Sequence, residues 1–455
     1  MDRRSGVPCF RAGYDHVRMA RKKVKVTWMR IWISGLVALV LSAEPGLAQS
    51  LAVERSVRPE LRPLAAAANT RPVVEARLTT APSNLGFRRW IAGFRGRARS
   101  QGIRADVFDR AFEGVRYNTS VIQKDRNQSE FTKQIWDYLD SAVSATRISN
   151  GKAALRDNAR LLAQIEARYG VEKEVVAAIW GLESAYGTFR GDVPIVEALA
   201  TLAFDGRRGR FFEEQLIAAL RIIQAGDVAP RGMTGSWAGA MGHTQFIPTS
   251  YLSYAQDFNG DGKRDIWSDD PADALASTAA YLARFGWKKG QPWGMEVTLP
   301  RGFDYGISGE RVKKSVAEWM RLGVRDARGG RIANYGRASI LLPAGAQGAA
   351  FIIFSNFQVL EKYNTADAYV IGVGHLSDRI TGGPAIRSDW PRDDRALRFA
   401  EKQEMQERLS RAGFDTEGID GIIGPNTIAA IRAFQKTVGM MPDGYASLEI
   451  LKRLR

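Results

Sequence analysis

One acid stands in unusual company. In IWGLESAYGTF, residues 179–189, Glu183 lies among Trp180, Ser184 and Tyr186. Gly181 and Gly187 flank it where ordinary helix formers would each favour a helix by about 1 kcal/mol. On a helix from Val171 to Tyr186, Val175, Ile179, Leu182 and Tyr186 form one apolar stripe. Glu183 borders that stripe, at i+3 from Trp180 and i+4 from Ile179. A carboxyl held against an indole loses hydration, which disfavours its charged form and raises its pKa by up to a few units. Such a group stays protonated near neutrality and can hand a proton to a leaving oxygen. The two glycines would let a bulky side chain approach the helix beside the acid. Spacing alone fits equally a half-exposed glutamate at the edge of an amphipathic helix.

A second stretch bears on the choice. SWAGAMGHTQFIPTSY, residues 236–251, packs small residues ahead of a polar amide, Gln245, and a turn at Pro248. Glycines permit close backbone approach, and an amide can both donate to and accept from a sugar hydroxyl or acetamide. Other chemistries are thinly supplied. The one cysteine, Cys9, precedes the apolar run Ile31–Leu41, and of three histidines only His243 and His375 lie beyond it. A cysteine nucleophile, a zinc-thiolate site, a disulfide and a histidine-rich metal site are excluded after removal of the leader, and neither histidine sits in a nucleophile-elbow pattern. Carboxylate chemistry is what remains.

The elements that must position these residues can be read along the chain. Residues 19–49 have a basic start, a short apolar run and GLA before Gln49, the layout of a secretory leader cut after Ala48. The apolar run is short of the ~20 residues a membrane span needs, and no cysteine stands at the cut for lipidation. Residues 1–48 are therefore expected to be a signal peptide, with Met19 or Met29 as alternative starts, and 49–82 a flexible linker rich in Ala, Arg and Pro. The formal charge is +16; nine basic against three acidic residues up to Ala48 leave +10 for the rest, which favours a polyanionic partner. From residue 83 to 385 helical periodicity dominates: SEFTKQIWDYLDSAVSATRI, LRDNARLLAQIEARYG, VEKEVVAAIWGLESAYG, FFEEQLIAALRIIQAG, PADALASTAAYLARFGW and SVAEWMRLGV. MEVTLP, ASILLP and AAFIIFS read as a small late β element. A Gly-, Pro- and charge-rich linker over 386–396 leads to a separate unit, 397–455. There Pro425 opens a helix whose apolar face is Ile428, Ile431, Phe434 and Val438.

WGLESAYG followed some sixty residues later by GAMGHTQFIPTSY resembles the lytic murein transglycosylase B family, and GIDGIIGPNTIAAIRAFQ resembles the common peptidoglycan-binding helical module. The resemblance implies a mainly α, lysozyme-like catalytic domain with a small β element, followed by a three-helix module. It implies that Glu183 is the single acid/base: it protonates the oxygen between N-acetylmuramic acid and N-acetylglucosamine, then takes the proton of the muramic acid's own 6-hydroxyl, which closes onto C1 as a 1,6-anhydro sugar. Ordinary glycosidases need a second carboxylate; here none is required. Ser236 and Gln245 match the family's polar contacts, Arg207 and Arg208 its arginine pair facing the stem peptide. Tyr138, Tyr281, Tyr363 and Tyr369, with Asn364, match its saccharide-lining positions. Tyr138 and Tyr281 suit a plain core role as well.

DFNGDGKRDIWSDDPAD begins like an EF-hand loop, with Asp257, Asn259 and Asp261 at positions one, three and five, Gly262 at the turn and the Lys263 carbonyl at seven. Ser268 replaces the twelfth-position glutamate, and the family implies closure by a later aspartate, here Asp273. A calcium there would be structural; catalysis is expected to need no cofactor. The expected partners are peptidoglycan strands and their stem peptides in the periplasm, with the terminal module as a tethered second site that raises local concentration. Nucleic acid is disfavoured by scattered arginines and export. Divisome or wall-synthesis proteins are partners only by setting. Two other readings stay open: a hydrolytic muramidase using Glu183 and water, and a wall-binding scaffold without catalysis.

Overall fold

The computed structural model describes residues 84–127 and 133–455. The expected leader, its cut and the lead-in to residue 82 lie outside them. The described chain is mostly helical, with a five-stranded antiparallel sheet and a two-stranded ribbon pairing Val193–Pro194 with Thr234–Gly235, and forms three hydrophobic cores.

Helical periodicity locates most of the large helices. Ala159–Tyr169 ends at Gly170, left-handed at φ 65°, and Gly209–Ala225 ends at Gly226 at φ 90°. Ala272–Arg284 lies within its expected segment. The stretch read as one helix over 129–148 is broken, however: Ile135–Ala142 stops and Ala145–Asp157 starts anew, because the Ser144 hydroxyl accepts from the Arg147 N–H and caps the second helix. Ile195–Asp205, absent from the sequence reading, is buried along most of its length.

MEVTLP, ASILLP and AAFIIFS supply the three central strands, Gly294–Thr298, Arg337–Leu341 and Ala350–Ile353. Met295 and Ile340 both pair with Ile352, and the two-residue strands Lys314–Ser315 and Arg325–Asp326 close the two edges. Val316–Arg321 covers the sheet, held by a Ser315–Glu318 capping box and by Trp319, whose buried indole donates to the Ala338 carbonyl at 2.9 Å. The chain then returns to the helical part as Ser355–Tyr363 and Asp367–Ile380.

The terminal unit packs Phe399–Arg411, Pro425–Thr437 and Leu448–Leu454 around Met405, Leu409, Ile431, Phe434 and Ile450. Ile431 and Phe434 belong to the expected face, but Val438 lies past the helix end and is exposed. This unit is docked rather than trailing. Asp443 accepts from the Ala346 N–H at 2.8 Å, Arg432 donates to the Ser308 hydroxyl at 2.8 Å, and Gln134 donates to the Tyr445 hydroxyl at 3.0 Å.

The helix carrying Glu183 is Lys173–Ser184, and it is not amphipathic. Val175 through Gly181 are all buried, as are Glu183 and Ser184, while Leu182 of the expected stripe is half-exposed. Each buried Val or Ile contributes about 1.5–3 kcal/mol, so packing on all sides overrides the poor helix propensity of glycine. The helix ends in an abrupt reversal: Ala185 and Tyr186 take φ 49° and 60°, and the Tyr186 N–H returns to the Trp180 carbonyl at 3.2 Å. That reversal lays the Tyr186 ring over Gly181, where a Cβ would stand 2.5 Å from the ring. Propensity alone predicts that Gly181→Ala stabilises the protein by about 1 kcal/mol. The packing predicts the opposite sign, a loss of about 1–3 kcal/mol from overfilling, read as a lower midpoint in denaturant.

Candidate active site

Glu183 is 8% exposed, enclosed by its own helix and by Asp367–Ile380. From that second helix Tyr369, itself buried, donates its hydroxyl to Glu183 Oε1 at 2.6 Å. Burial pushes the Glu183 carboxyl up to about 8, and the Tyr369 bond pulls weakly the other way by favouring the anion. No other carboxylate among the described residues contributes to that shift. The hydroxyls of Tyr138 and Tyr363 are raised by burial and by the nearby Glu183, so both stay protonated.

The floor beneath the acid is a polar network. Trp180 Nε1 donates to His243 Nδ1 at 3.1 Å, and His243 Nε2 lies 2.7 Å from the Ser268 carbonyl. Since Nδ1 accepts, the ring proton sits on Nε2 and is donated to Ser268. Burial and the neighbouring Arg190 lower the imidazole's affinity for a second proton. The Ser184 hydroxyl donates to the His243 carbonyl at 2.6 Å and receives the Gly187 N–H. A Cβ at Gly187 would stand 2.7 Å from the imidazole, so the second glycine makes room for His243 as the first does for Tyr186. Arg190 closes the network, donating to the Trp267 carbonyl at 3.0 Å and pairing with Asp269 at 2.7 Å.

Gln245 joins the same assembly. Its backbone is left-handed, at φ 54°, and its Nε2 donates to the carbonyls of Arg190 at 3.1 Å and Gly242 at 2.8 Å. The donor half of the amide is therefore consumed, and Oε1 is left to accept. Ser236 lies in the turn before it and accepts from the Ala240 N–H at 3.0 Å. Tyr363 donates to the Thr244 carbonyl at 2.6 Å, which ties the Asp367–Ile380 side of the site to this loop. Asn364 ends the Ser355–Tyr363 helix and accepts from the Ala366 N–H at 3.1 Å, shaping the turn toward Tyr369.

Two expectations change, for Tyr369 and the arginine pair, and the alternative left open for Tyr281 is resolved. Tyr369 does not line a saccharide surface: it is 3% exposed and its hydroxyl is spent on Glu183. Tyr281 is a core residue that donates to the Lys362 carbonyl and packs edge-on against Tyr363, ring centres 5.2 Å apart. Arg207 and Arg208 do not stand free to face a peptide. Both close on buried Asp125, at 2.6 and 2.7 Å, where the two guanidiniums outweigh burial and hold its carboxyl below the usual range. His243, Arg190 and Asp125 escaped the sequence reading. The one available signal was that His243 is a rare histidine within the glycine-rich stretch.

The Asp257 loop has an oxygen-only donor set at one-three-five spacing, which suits a hard cation. Asp257 accepts the N–H groups of Gly260, Asp261 and Gly262, and Asp261 that of Lys263. Asp273 is buried and receives the N–H groups of Phe258, Asn259 and Asp265, so it closes the loop through backbone. Ser268 turns its hydroxyl to the Asp270 carbonyl, away from the twelfth-position role. The extra acids have local uses: Asp269 pairs with Arg190, and Asp270 receives the Ala272 N–H at the start of the next helix. Among the described residues, the trio of acids gathered within 4.8 Å lies elsewhere, at Glu310, Glu361 and Asp367. Burial and mutual repulsion raise Glu361 to about 8 and Asp367 to about 7.

Comparison with known proteins places this geometry. Residues 86–378 match the model of the Transglycosylase SLT domain, and residues 400–454 that of a peptidoglycan binding domain. The chain is 31% identical over 250 residues to membrane-bound lytic murein transglycosylase B of Escherichia coli (strain K12), a match spanning 53% of this chain and 66% of that protein. It is 48% identical to SltB3 from Pseudomonas aeruginosa, solved in complex with NAG-anhNAM-pentapeptide, with a TM-score of 0.79 over 81% of this chain and 99% of that one. Escherichia coli Slt35, solved in complex with calcium, is similar at 27% identity and a TM-score of 0.56, over 64% and 92%. With its catalytic core and its terminal module both accounted for, the chain belongs to the SLT-domain family of peptidoglycan lytic transglycosylases.

Proposed function

We propose that Glu183 is the single acid/base of a non-hydrolytic cleavage of peptidoglycan, and that the protein works in the periplasm after loss of its leader. The observation that carries this reading is the buried carboxyl with one oxygen held by Tyr369. At neutral pH the acid is protonated, and with Oε1 occupied by Tyr369 its proton resides on Oε2. Oε2 passes that proton to the glycosidic oxygen as the bond from that oxygen to muramic C1 breaks. The resulting carboxylate keeps the Tyr369 hydrogen bond. It then removes the proton from the muramic 6-hydroxyl as that oxygen bonds to C1, which restores the acid and yields a 1,6-anhydro end. The absence of a second carboxylate at Glu183 among the described residues supports a substrate-supplied nucleophile. So does a relative solved with a NAG-anhNAM-pentapeptide. Gln245 Oε1 accepts from a sugar amide or hydroxyl, and the half-buried face of Tyr363 borders the sugar, while Tyr138 is buried behind the acid. No described helix is long and apolar enough to cross a membrane.

The Asp257 loop is proposed to hold calcium through Asp257, Asn259, Asp261 and the Lys263 carbonyl, with Asp273 fixing the loop from behind. The ion supplies charge balance to the loop. Its stabilisation reaches the site through Trp267 and Ser268, which accept from Arg190 and His243.

Glu183→Gln is expected to bind sacculi and to release no anhydromuropeptides by mass spectrometry; normal clearing of wall suspensions by this variant defeats the assignment. The same variant reports the buried charge. Unfolded Glu183 ionises near 4.3, while the folded group keeps its proton to about 8, so folding is penalised increasingly between those values and fully above them. At about 1.36 kcal/mol per unit the penalty is on the order of a few kcal/mol. Glu183→Gln should therefore melt with wild type near pH 4 and above it at pH 9. Tyr369→Phe removes a donor to the anion, which moves the alkaline limb of the rate profile upward. It costs about 1.5–3 kcal/mol of anion stabilisation, roughly 10–100-fold in kcat. Finally, millimolar calcium should raise the melting temperature, Asp257→Asn should abolish that rise, and chelation should leave the anhydro character of the products unchanged.

A further inference from the structure

A cavity of about 420 Å³ opens between the Ile135–Ala142 helix, the Asp367–Ile380 helix and the segment 385–392. None of its lining residues belongs to the Glu183 site. We infer that it is a second binding site, for the free carboxylate of a peptidoglycan stem peptide. The inference rests on the wall-cleaving reading above for its choice of peptide.

The walls are built in advance. Glu296, on the sheet, accepts the backbone N–H groups of Arg387 at 2.8 Å and Ser388 at 2.7 Å, which fixes the course of the segment. Trp390 packs against Trp136, ring centres 6.2 Å apart, and covers Gly348 so closely that a Cβ there would lie 3.1 Å from the indole. Arg392 forks onto Asp140 at 2.7 and 3.1 Å. A volume of this size lies within the roughly 300–1,000 Å³ of small-ligand sites.

The charges in the cavity are not balanced internally. Arg392 and Asp140 neutralise each other. Arg379 spends one nitrogen on the Gly383 carbonyl at 2.8 Å. The Arg387 guanidinium pairs with no described residue; the residue is exposed and lines the cavity. Among the lining residues one carboxylate, Asp389, exposed at the rim, stands against these two cations, and Glu296 behind the segment is spent on the Arg387 and Ser388 N–H groups. His375 lines the interior with neither ring nitrogen bonded to a described residue. Burial and Arg379 push it down to about 4, while Glu296 acts in the opposite sense, so the imidazole enters as a neutral donor or acceptor. Guanidinium forks are matched by planar carboxylates, and Leu139, Val143 and Trp390 offer apolar cover to an adjoining methyl group. Stem peptides present both features. The two helices walling the cavity carry Tyr138 and Tyr369 toward Glu183 from other faces, so a peptide lodged here would lie on the scaffold of the acid.

The site can be tested without turnover. In the full chain the imidazole signal of His375 is identified by its loss in His375→Asn and followed by NMR at pH 5. A sugar-free stem peptide should move that signal saturably toward its protonated position, because a carboxylate beside the ring raises its proton affinity. The same peptide amidated at its carboxylates should leave it unmoved, and inorganic phosphate should bind at least tenfold more weakly. Arg387→Met, a change at an exposed position, should weaken the peptide at least tenfold with an unchanged melting temperature, and Arg379→Met should do likewise. No saturable shift, undiminished binding in Arg387→Met, or phosphate binding as tight as peptide would each overturn the proposal. Sacculus cleavage by the wild type is measured in parallel. Cleavage without peptide binding removes this site alone, and peptide binding without cleavage removes the wall-cleaving reading alone.

Discussion

The structure depends on one hydrogen bond in a place water barely reaches, from the Tyr369 hydroxyl to Glu183 Oε1. Burial alone drives a carboxyl in such surroundings toward its protonated form. The one donor favours the anion while burial favours the acid, so the two act on the carboxyl in opposite senses. Two helices from distant parts of the chain must meet for this, and Gly372 keeps the approach close: a Cβ there would stand 3.4 Å from Leu182 of the Glu183 helix and 2.9 Å from the Tyr138 ring of a third helix. The β sheet and the loops serve that meeting, since the sheet returns the chain to the helix that carries Tyr369.

Below the acid, the Trp180–His243–Ser268 relay locks the indole in one orientation. It also joins three segments that the chain separates widely: the acid's helix, the glycine-rich turn and the Asp257 loop. Both glycines around Glu183 are explained by what lies against them, Tyr186 in one case and His243 in the other. Ala185 and Tyr186 accept left-handed backbone because the reversal they make brings Ser184 and Gly187 into this network.

What was legible in the sequence had local causes. Gly170 and Gly226 stop helices by left-handed backbone, and three short apolar runs form the inner strands. IVEALATLAFD was not legible because an element buried on all sides has no polar face to set a period. Ser144 divided a continuous apolar pattern by a cap whose value depends on the turn it makes. In the site, the shielding of Glu183 from water followed from its neighbours in the motif. The duties of Tyr369 and of the Arg207–Arg208 pair could not be read there, since Glu183 and Asp125 are reached only through the fold.

The docking of the terminal module carries one more consequence. Asp443, Arg432 and Tyr445 fasten it to both the sheet and the helical part, and Leu448 adds its N–H to Asp394. A lobe anchored at so many points does not swing on a leash. The module is therefore held at a fixed distance from Glu183, and the two parts of the chain present themselves to the outside as one rigid surface.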